Sequence, residues 1–339
     1  MTRLGRPWWL AGAAAVLTAV VLGVAIGPVS LAPMAVAREL LDHVPGVDIR
    51  SGLDARDAAI VWELRFPRVV LALVVGAMLA GCGAAYQGVF RNALADPYLM
   101  GAAAGAGLGV TITIVTRGGP ASALLPVSAF AGAMLAVALT YVLGTAGGGG
   151  SAAGLILAGV AVTSFLTALQ TYFQQQHQDS IREVYSWILG RLTTAGWGEV
   201  RTAVPYAVVT GVVLLTQRRR LDVLAVGDEE AASLGIDPRR ARLLIVTAAS
   251  LGTAAAVSVS GLIGFVGIIV PHTVRLLAGS SYRVVLPLSL LFGGAFLIAA
   301  DLLARTAVSP AEIPIGVVTA FFGAPFFVLV LRTSKRLVP

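Results

Sequence analysis

Charged side chains are scarce in this sequence of 339 residues. Asp, Glu, Lys and Arg together make up 12% of the chain, whereas an average soluble domain contains about 25%. Hydrophobic residues account for 57%, and the mean hydropathy is +0.87. A chain with this balance cannot cover itself with a charged surface. The composition therefore excludes a soluble globular protein and predicts a protein embedded in membrane lipid.

Residues for common catalytic and metal chemistry are also few. Cys82 is the only cysteine, so no intrachain disulfide can form, and the three histidines, His43, His177 and His272, fall in separate segments. Lys335 is the only lysine, and no G-x-x-x-x-G-K-[ST] motif occurs, so the chain is not expected to hydrolyse ATP itself. No Ser/His/Asp, paired-carboxylate or metal-ligand spacing supports an enzyme. We therefore predict no catalytic residue, resident metal or cofactor.

The apolar residues occur in ten runs, most of them near the ~20 residues that a membrane-spanning helix needs. These runs predict an all-α polytopic membrane protein with a single transmembrane domain over residues 1–339. The eighth run is short and contains Pro271, which predicts a broken or tilted helix. The predicted spans are 8–28, 67–90, 97–116, 121–144, 152–173, 200–216, 241–259, 262–277, 285–304 and 314–332.

The first run has two interpretations. Ala35-Val36-Ala37 resembles a cleavage site, so the N-terminus is similar to a signal peptide. The apolar run is about 20 residues long, however, which exceeds a typical signal sequence. It also begins with Trp8-Trp9, a pair suited to a membrane interface. We favour an uncleaved first span.

Basic residues set the predicted orientation. With the N-terminus in the cytoplasm and ten alternating spans, the cytoplasmic side holds 14 of the 24 basic residues but only six of the 17 acidic residues. This asymmetry follows the positive-inside rule, so both termini are predicted to lie on the cytoplasmic side of the cell membrane. The net charge of +7 then reflects topology and contact with anionic lipid rather than nucleic-acid binding.

Three long segments lie outside the predicted spans. Residues 29–66 and 174–199 are placed on the outer side, and the first is expected to form short surface helices. In the second, Ser180 and Glu183 match a capping box that predicts an amphipathic helix on the membrane surface. Residues 217–240 are placed in the cytoplasm. A shorter glycine-rich segment, 147–151, is predicted to be a flexible cytoplasmic turn.

The cytoplasmic segment contains the pattern of a short, well-defined helix. Asp228 is predicted to cap its beginning, Gly235 to end it, and Pro238 to prevent its continuation. A compact helix in the largest cytoplasmic loop favours a docking element, and a solvated loop is the alternative.

Asp301 and Arg305 are spaced as i,i+4 partners near the predicted outer interface. An ion-coupled secondary transporter could use such a pair. A structural pair at the outer surface is favoured, because the spans contain few ionisable residues at mid-membrane.

Several dense motifs follow one another from residue 65 onwards. The first two enclose an apolar run rich in glycine, which ends at a charged Asn/Asp/Pro turn, and a second apolar run follows this turn directly. The motifs are R-F-P-R at 65–68, Q-x-x-x-R-N-A-L-A-D-P at 87–97, L-G-I-D at 234–237, G-L-I-G-F-V-G-I-I-V-P-H-T-V-R at 261–275, A-D-L-L-A-R at 300–305, E-I-P-I-G-V-V-T-A at 312–320 and G-A-P-F-F at 323–327.

These motifs, in this order over about residues 60–332, resemble the FecCD family, the permeases of type II ABC importers for iron–siderophore complexes, haem and vitamin B12. Ala93 departs from the family pattern, which often has proline there. The resemblance implies a BtuC-like type II importer fold with about ten transmembrane helices per subunit. Iron–siderophore is the expected cargo, and haem and cobalamin are the alternatives.

The resemblance also implies partners. Two ABC ATPase subunits would dock on the cytoplasmic face, and an extracytoplasmic substrate-binding lipoprotein would deliver the cargo. A second permease subunit, identical or paralogous, would complete a dimer around the central pathway.

Roles for individual residues follow from the same resemblance. Arg65, Arg68 and Arg305 would face acidic residues of the binding protein, and such rim charges mainly steer association. Asn92 and Leu94 would lie near the cytoplasmic gate. The coupling element for the ATPase, within 221–240, would consist of Gly227, Asp228, Glu229, Ala232, Leu234, Gly235, Ile236 and Asp237.

Overall fold

The computed structural model describes residues 5–334 except 28, 30, 44–45, 47–48, 118–122, 147–151 and 194. The regular structure in these ranges is helical throughout. The predicted glycine-rich turn at 147–151 lies outside the described residues. The helices are α1 (Arg6–Ala25), α2 (Pro33–Asp42), α3 (Ala55–Ala59), α4 (Phe66–Val89), α5 (Ala102–Arg117), α6 (Leu125–Ala146), α7 (Ala152–Gln176), α8 (Ile181–Ile188), α9 (Trp197–Leu224), α10 (Asp228–Ser233), α11 (Pro238–Ser260), α12 (Val266–Ala278), α13 (Tyr282–Thr306) and α14 (Ile315–Ser334).

Ten of these helices correspond to the ten predicted spans. Seven are long and apolar enough to cross a membrane, counting α4 with the α3 segment that leads into it. Helices α5 and α12 are apolar but shorter, and so is the apolar stretch Ile315–Val330 of α14. The all-α polytopic fold predicted from the sequence is therefore confirmed.

Two predicted boundaries are wrong. The third span begins at Ala102 rather than at 97, because residues 90–101 form consecutive turns in which the Asp96 carboxylate accepts a hydrogen bond from the Tyr98 amide at 2.7 Å. The sixth span continues to Leu224 rather than ending at 216, since Leu221 and Leu224 are buried and stabilise its last turns. The long segment that the sequence analysis placed in the cytoplasm is thus reduced to residues 225–237.

Helix α4 forms the centre of the bundle. Eighteen of its 24 residues are buried, and its main neighbours are α9, α11, α12 and α13. Glycines allow this crowding: a Cβ atom at Gly76 would collide with the Gly293 carbonyl of α13, and one at Gly83 with the Gly267 carbonyl of α12. The close approach predicted from the small residues of this run is confirmed.

Helix α1 is packed into the same bundle. Gly12 lies against Leu291 of α13, and Gly23 lies between Ile298 of α13 and Val69 of α4. A retained first span requires packing of this kind, so the arrangement supports the uncleaved alternative.

The chain between α11 and α12 is not helical. Gly261 and Phe265 both have positive φ angles, 69° and 68°, and α12 has only 13 residues, about 20 Å in length. The prediction of a short eighth span is confirmed, but the break lies at 261–265, and α12 continues through Pro271. Exposed backbone of this kind is not tolerated in lipid. Here the Tyr98 hydroxyl donates to the Ile263 carbonyl at 3.0 Å and accepts from the Ile263 amide at 3.1 Å.

The predicted surface helices are present, with one correction. Residues 29–66 contain α2 and α3, and 174–199 contain the amphipathic helix α8, which buries Val184 and Trp187. The predicted capping box at Ser180 is wrong, because Ser180 has a helical backbone conformation and its side chain caps nothing. A cap requires an extended backbone at that position. The adjacent helix α9 is capped instead by Glu199, which accepts from the Gly196 amide at 3.0 Å.

We expect Gly83→Val to destabilise the bundle by about 1–3 kcal/mol, because the added side chain must displace the backbone of α12. The measurement is the apparent melting temperature of the detergent-solubilised protein. Gly211→Val in α9 is the matched control, since a Cβ atom at Gly211 meets nothing within 4 Å. Equal melting temperatures for the two variants would contradict the packing described for α4.

Candidate docking, coupling and gate sites

The three arginines predicted to dock a partner come together at one end of the bundle, termed here the arginine face. Arg65 lies in a π-helical turn, 60–65, that leads into α4. Its guanidinium donates to the carbonyls of Val24 and Ala25, each at 3.2 Å, and to the Val29 carbonyl. Arg65 is 5% exposed and therefore closes the C-terminal end of α1 rather than projecting from the surface.

Arg68 bridges two carboxylates from distant parts of the sequence. Its Nε and Nη2 atoms donate to Asp301 of α13 at 2.8–3.1 Å, and its Nη1 and Nη2 atoms donate to Glu312 at 3.0 and 2.9 Å. Paired contacts of this fork geometry are the strongest that arginine makes. The bridge joins α4 to α13 and to the segment that precedes α14.

Arg305 completes the cluster from α13. Its Nε lies 3.6 Å from the Asp301 carboxylate, which confirms that these residues form an i,i+4 pair, and its Nη2 donates to the Gly23 carbonyl of α1. Arg305 is 3% exposed and Asp301 1%. Buried charged side chains are stable only when they are paired, so these residues form a buried ion-pair cluster with a structural role.

The arginine face therefore differs from the predicted rim of exposed charges. Of the three arginines, Arg68 reaches a surface cavity of about 170 Å³, which Glu312 and Arg191 also line. Burial lowers the pKa of the Arg191 guanidinium. The docking role of Arg65, Arg68 and Arg305 stays a prediction. The sequence analysis did not find the pairing of Arg68 with Asp301 and Glu312, or the position of Arg191.

The predicted coupling element lies at the opposite end, termed the 225–237 face. Gly227 precedes α10, and Asp228 is its first residue. The prediction that Asp228 caps this helix is wrong: its carboxylate instead pairs with Arg242 of α11 at 2.9 Å. The Arg242 side chain is 5% exposed and its charge requires a counter-ion, so the ion pair outweighs a local cap.

The predicted end of α10 is confirmed. Gly235 has a φ of 78°, its amide bonds the Ala232 carbonyl at 3.0 Å, and the Ile236 amide bonds the Ala231 carbonyl at 3.0 Å. This is the Schellman arrangement, which closes a helix with a left-handed glycine. Asp237 then accepts from the Arg239 and Arg240 amides and so caps α11.

Segment 225–237 is therefore an ordered projection rather than a solvated loop. Ala231 is fully buried beneath it, while Leu234 is 68% exposed. The segment combines a fixed base with an exposed apolar tip. Its other exposed residues include Glu229, Ala232 and Gly235.

The predicted gate residues lie in the turn after α4. The Asn92 side chain accepts from the Leu94 amide at 2.9 Å, and the Asn92 amide donates to the Gln87 carbonyl at 3.2 Å. The Gln87 side chain donates to the Gly267 carbonyl at 3.0 Å, which ties α4 to the beginning of α12. The gate role of Asn92 and Leu94 stays a prediction.

A cavity of about 600 Å³ connects this turn to the 225–237 face. Gln87, Arg91 and Ala93 line one side, and Ala225 and Val226 line the other. Segment 225–237 and the turn that contains Asn92 therefore border the same cavity.

Neither the arginine face nor the 225–237 face shows a metal site among the described residues. Within the described ranges, no three His, Cys, Asp or Glu side chains are grouped so as to hold a metal ion. His272 lies on α12, with its ring 5.8 Å from that of Phe326 in an edge-on arrangement.

The fold defines a polytopic helical membrane protein. Residues 15–333 match the model of the FecCD transport family, and the chain belongs to this family. Its members are transport permease subunits of ABC importers, in which ATP is hydrolysed by a separate subunit.

Named relatives cover most of the chain. It is 43% identical to the cobalamin import system permease protein BtuC of Halobacterium salinarum, over 85% of this chain and 77% of that protein. It is 40% identical to the hemin transport system permease protein HmuU of Yersinia pestis, over 81% of this chain and 84% of that protein. A solved structure assigned to the metal-chelate type of ABC transporters, in an inward-facing conformation, superposes with a TM-score of 0.83 at 28% identity, covering 96% of this chain and 98% of the other.

We expect Asp301→Asn to lower the stability of the protein by about 3–5 kcal/mol, because it leaves Arg305 buried without its counter-ion and Arg68 with Glu312 alone. Thermal unfolding in detergent measures this loss. Glu312→Gln is the control: its side chain is 30% exposed, so its effect should be about 1 kcal/mol or less. An Asp301→Asn protein that melts with the Glu312→Gln protein would show that the ion cluster is not structural.

Proposed function

We propose that this chain is the membrane-spanning subunit of an ATP-driven importer that carries an iron–siderophore complex across the cytoplasmic membrane. The observation that carries the proposal is the family match over residues 15–333, together with permeases named for metal chelates among the relatives. Three of the relatives are named for iron complexes, namely hemin, Fe(3+)-citrate and iron chelatin. The cobalamin permease, at 43% identity, supports the main alternative cargo.

The 225–237 face is assigned to the cytoplasm. Arg218, Arg219 and Arg220 at the end of α9 and Arg239 and Arg240 at the beginning of α11 all lie at this end and are exposed. Basic residues flanking spans favour the cytoplasmic side. The arginine face then lies outside, and both termini lie in the cytoplasm.

Segment 225–237 is proposed to receive the ATPase subunits. Its exposed tip offers a contact surface, and its base is held by the Asp228–Arg242 pair and by buried Ala231. A rigid projection transmits a displacement, whereas a flexible loop would absorb it. The shared cavity with the 91–93 turn gives the displacement a route towards Asn92 and Leu94, the proposed gate.

The arginine face is proposed to dock a substrate-binding lipoprotein. Arg68 is the member that can touch a partner, while Arg65 and Arg305 contribute positive potential from beneath the surface. Complementary charge of this kind accelerates association.

A second permease subunit is proposed to cover the exposed sides of α7 and α14. Both helices present large apolar side chains at the surface of the single subunit, among them Leu157 and Phe321, each 73% exposed. The cargo pathway would then run between the two subunits.

Leu234→Glu is expected to lower ATP-driven uptake at least tenfold without changing the amount of folded protein, because a charge on the exposed tip disrupts an apolar contact with the ATPase. Uptake and ATPase activity of the reconstituted complex are the measurements. Leu276→Glu is the control, since Leu276 is 71% exposed at the same end but outside 225–237. Equal activity of the two variants would argue against the coupling role.

Labelled ferric siderophore, haem and cobalamin should be offered to cells with and without this chain, each with the ATPase active or inactivated. We expect loss of ferric siderophore uptake in every strain that lacks either component. Loss of haem or cobalamin uptake instead would show that the proposed cargo is wrong and would identify the right one. Uptake that requires this chain but survives ATPase inactivation would replace the proposal with a secondary transporter.

A further inference from the structure

Arg68 is almost fully occupied within the subunit. Four of its donor contacts at 2.8–3.0 Å go to two carboxylates, and they engage all three of its nitrogen atoms. Its side chain is 13% exposed. A partner protein that approaches Arg68 with a carboxylate therefore meets a guanidinium that already has its ligands.

The two carboxylates are not equivalent. Asp301 is 1% exposed and is shared with Arg305, so it cannot leave without stranding a second buried charge. Glu312 is 30% exposed, and Arg68 is the partner of both of its oxygen atoms. Glu312 is thus the ligand that an incoming carboxylate would replace.

Glu312 also lies at a mechanically important position. It belongs to the non-helical segment 307–314, three residues before α14 begins at Ile315. That segment is held to α13 by the Ile313 amide, which bonds the Ala304 carbonyl at 2.9 Å. Within the single subunit, helix α14 has its main contacts with α12 and α13, and the side that it leaves exposed is the one proposed above to meet the second permease subunit.

The charge balance favours exchange. Arg65 interacts with Asp57, so the excess comes from the groups around the cavity: Arg68, Arg191 and Arg305 outnumber Asp301 and Glu312 by one positive charge. An excess of positive charge attracts a carboxylate from a docking surface, and releasing Glu312 into water costs little because it is already partly exposed.

We propose that the Arg68–Glu312 ion pair is an exchangeable latch: in the undocked permease Glu312 occupies Arg68, and a carboxylate of the docking protein replaces it and releases segment 307–314 and α14. This inference rests on the proposed docking role of the arginine face. The latch both moderates the affinity of docking and reports docking to a helix that crosses the membrane.

The test uses the full-length permease with its ATPase in lipid nanodiscs, and the substrate-binding protein that supports uptake in cells as the probe. Glu312→Gln should bind this protein about fivefold more tightly or better, because it removes the competing carboxylate. Glu63→Gln is the matched control. Glu63 is an exposed acid in the turn that leads into α4, so its substitution removes the same charge without altering a contact of Arg68.

Arg68→Gln separates the latch from the docking surface. If Arg68→Gln weakens binding but Glu312→Gln leaves it unchanged or weaker, the latch is overturned and the docking proposal stands. If neither substitution alters binding, the docking proposal itself is overturned. Glu312→Asp, which keeps the charge but shortens the side chain, should also bind more tightly and serves if Glu312→Gln folds poorly.

A spin label on Val308→Cys tests the release directly. Val308 is 55% exposed within 307–314, and the native Cys82 is buried and protected from the label. Adding the binding protein should increase the mobility of the label in the otherwise unchanged chain. With Glu312→Gln the label should be mobile before the protein is added. A label whose mobility is the same in all four samples would overturn the latch.

Discussion

The buried contact between Arg68 and Asp301 is the interaction on which the arrangement of this permease depends. It joins α4, the central helix, to α13, which packs along the length of α4. Through Arg305 the same carboxylate is linked to the end of α1, and through Arg68 it is linked to Glu312 at the approach to α14. Four elements distant in sequence therefore meet at one ionic centre. In a bilayer the hydrophobic effect does not hold helices together, and a paired charge that would be costly alone supplies orientation as well as cohesion.

The rest of α4 is held by contact rather than by charge. Glycines bring the backbones of α12 and α13 against it, and this proximity allows Gln87 to reach the Gly267 carbonyl. The interruption between α11 and α12 is compatible with a membrane only because Tyr98 satisfies both backbone groups of Ile263. The turn after α4 and the break before α12 are thus two halves of one polar junction. This junction lies between the arginine face and the 225–237 face.

Local patterns predicted the parts of this molecule that local forces determine. The ten apolar runs, the end of α10 at Gly235 and the Asp301–Arg305 pair all depend on residues within a few positions of one another. The failures have a different origin. Arg68 is 233 residues from Asp301 and 244 from Glu312, and no spacing rule connects them. Asp228 was predicted to cap a helix because its neighbours favour it, but a buried arginine of the next helix competes for the carboxylate and prevails. Burial of Arg65 and Arg305 likewise follows from the docking of α1, which a single sequence does not reveal.

Helix α4 gives the two faces a common mechanical element. Arg68 stands near its beginning and Gln87 near its end, and 24 helical residues span about 36 Å, which exceeds the hydrocarbon thickness of a membrane. Because most of this helix is buried on all sides, it cannot bend locally without disturbing α12 and α13. A change in the ligands of Arg68 is therefore not confined to the arginine face. It either moves α4 as a whole, and with it the turn containing Asn92, or it is taken up by α14, which among the ten span helices has the fewest neighbours within the subunit. The exposed position of Glu312 next to α14 favours the second route, with α4 as the fixed frame against which α14 moves.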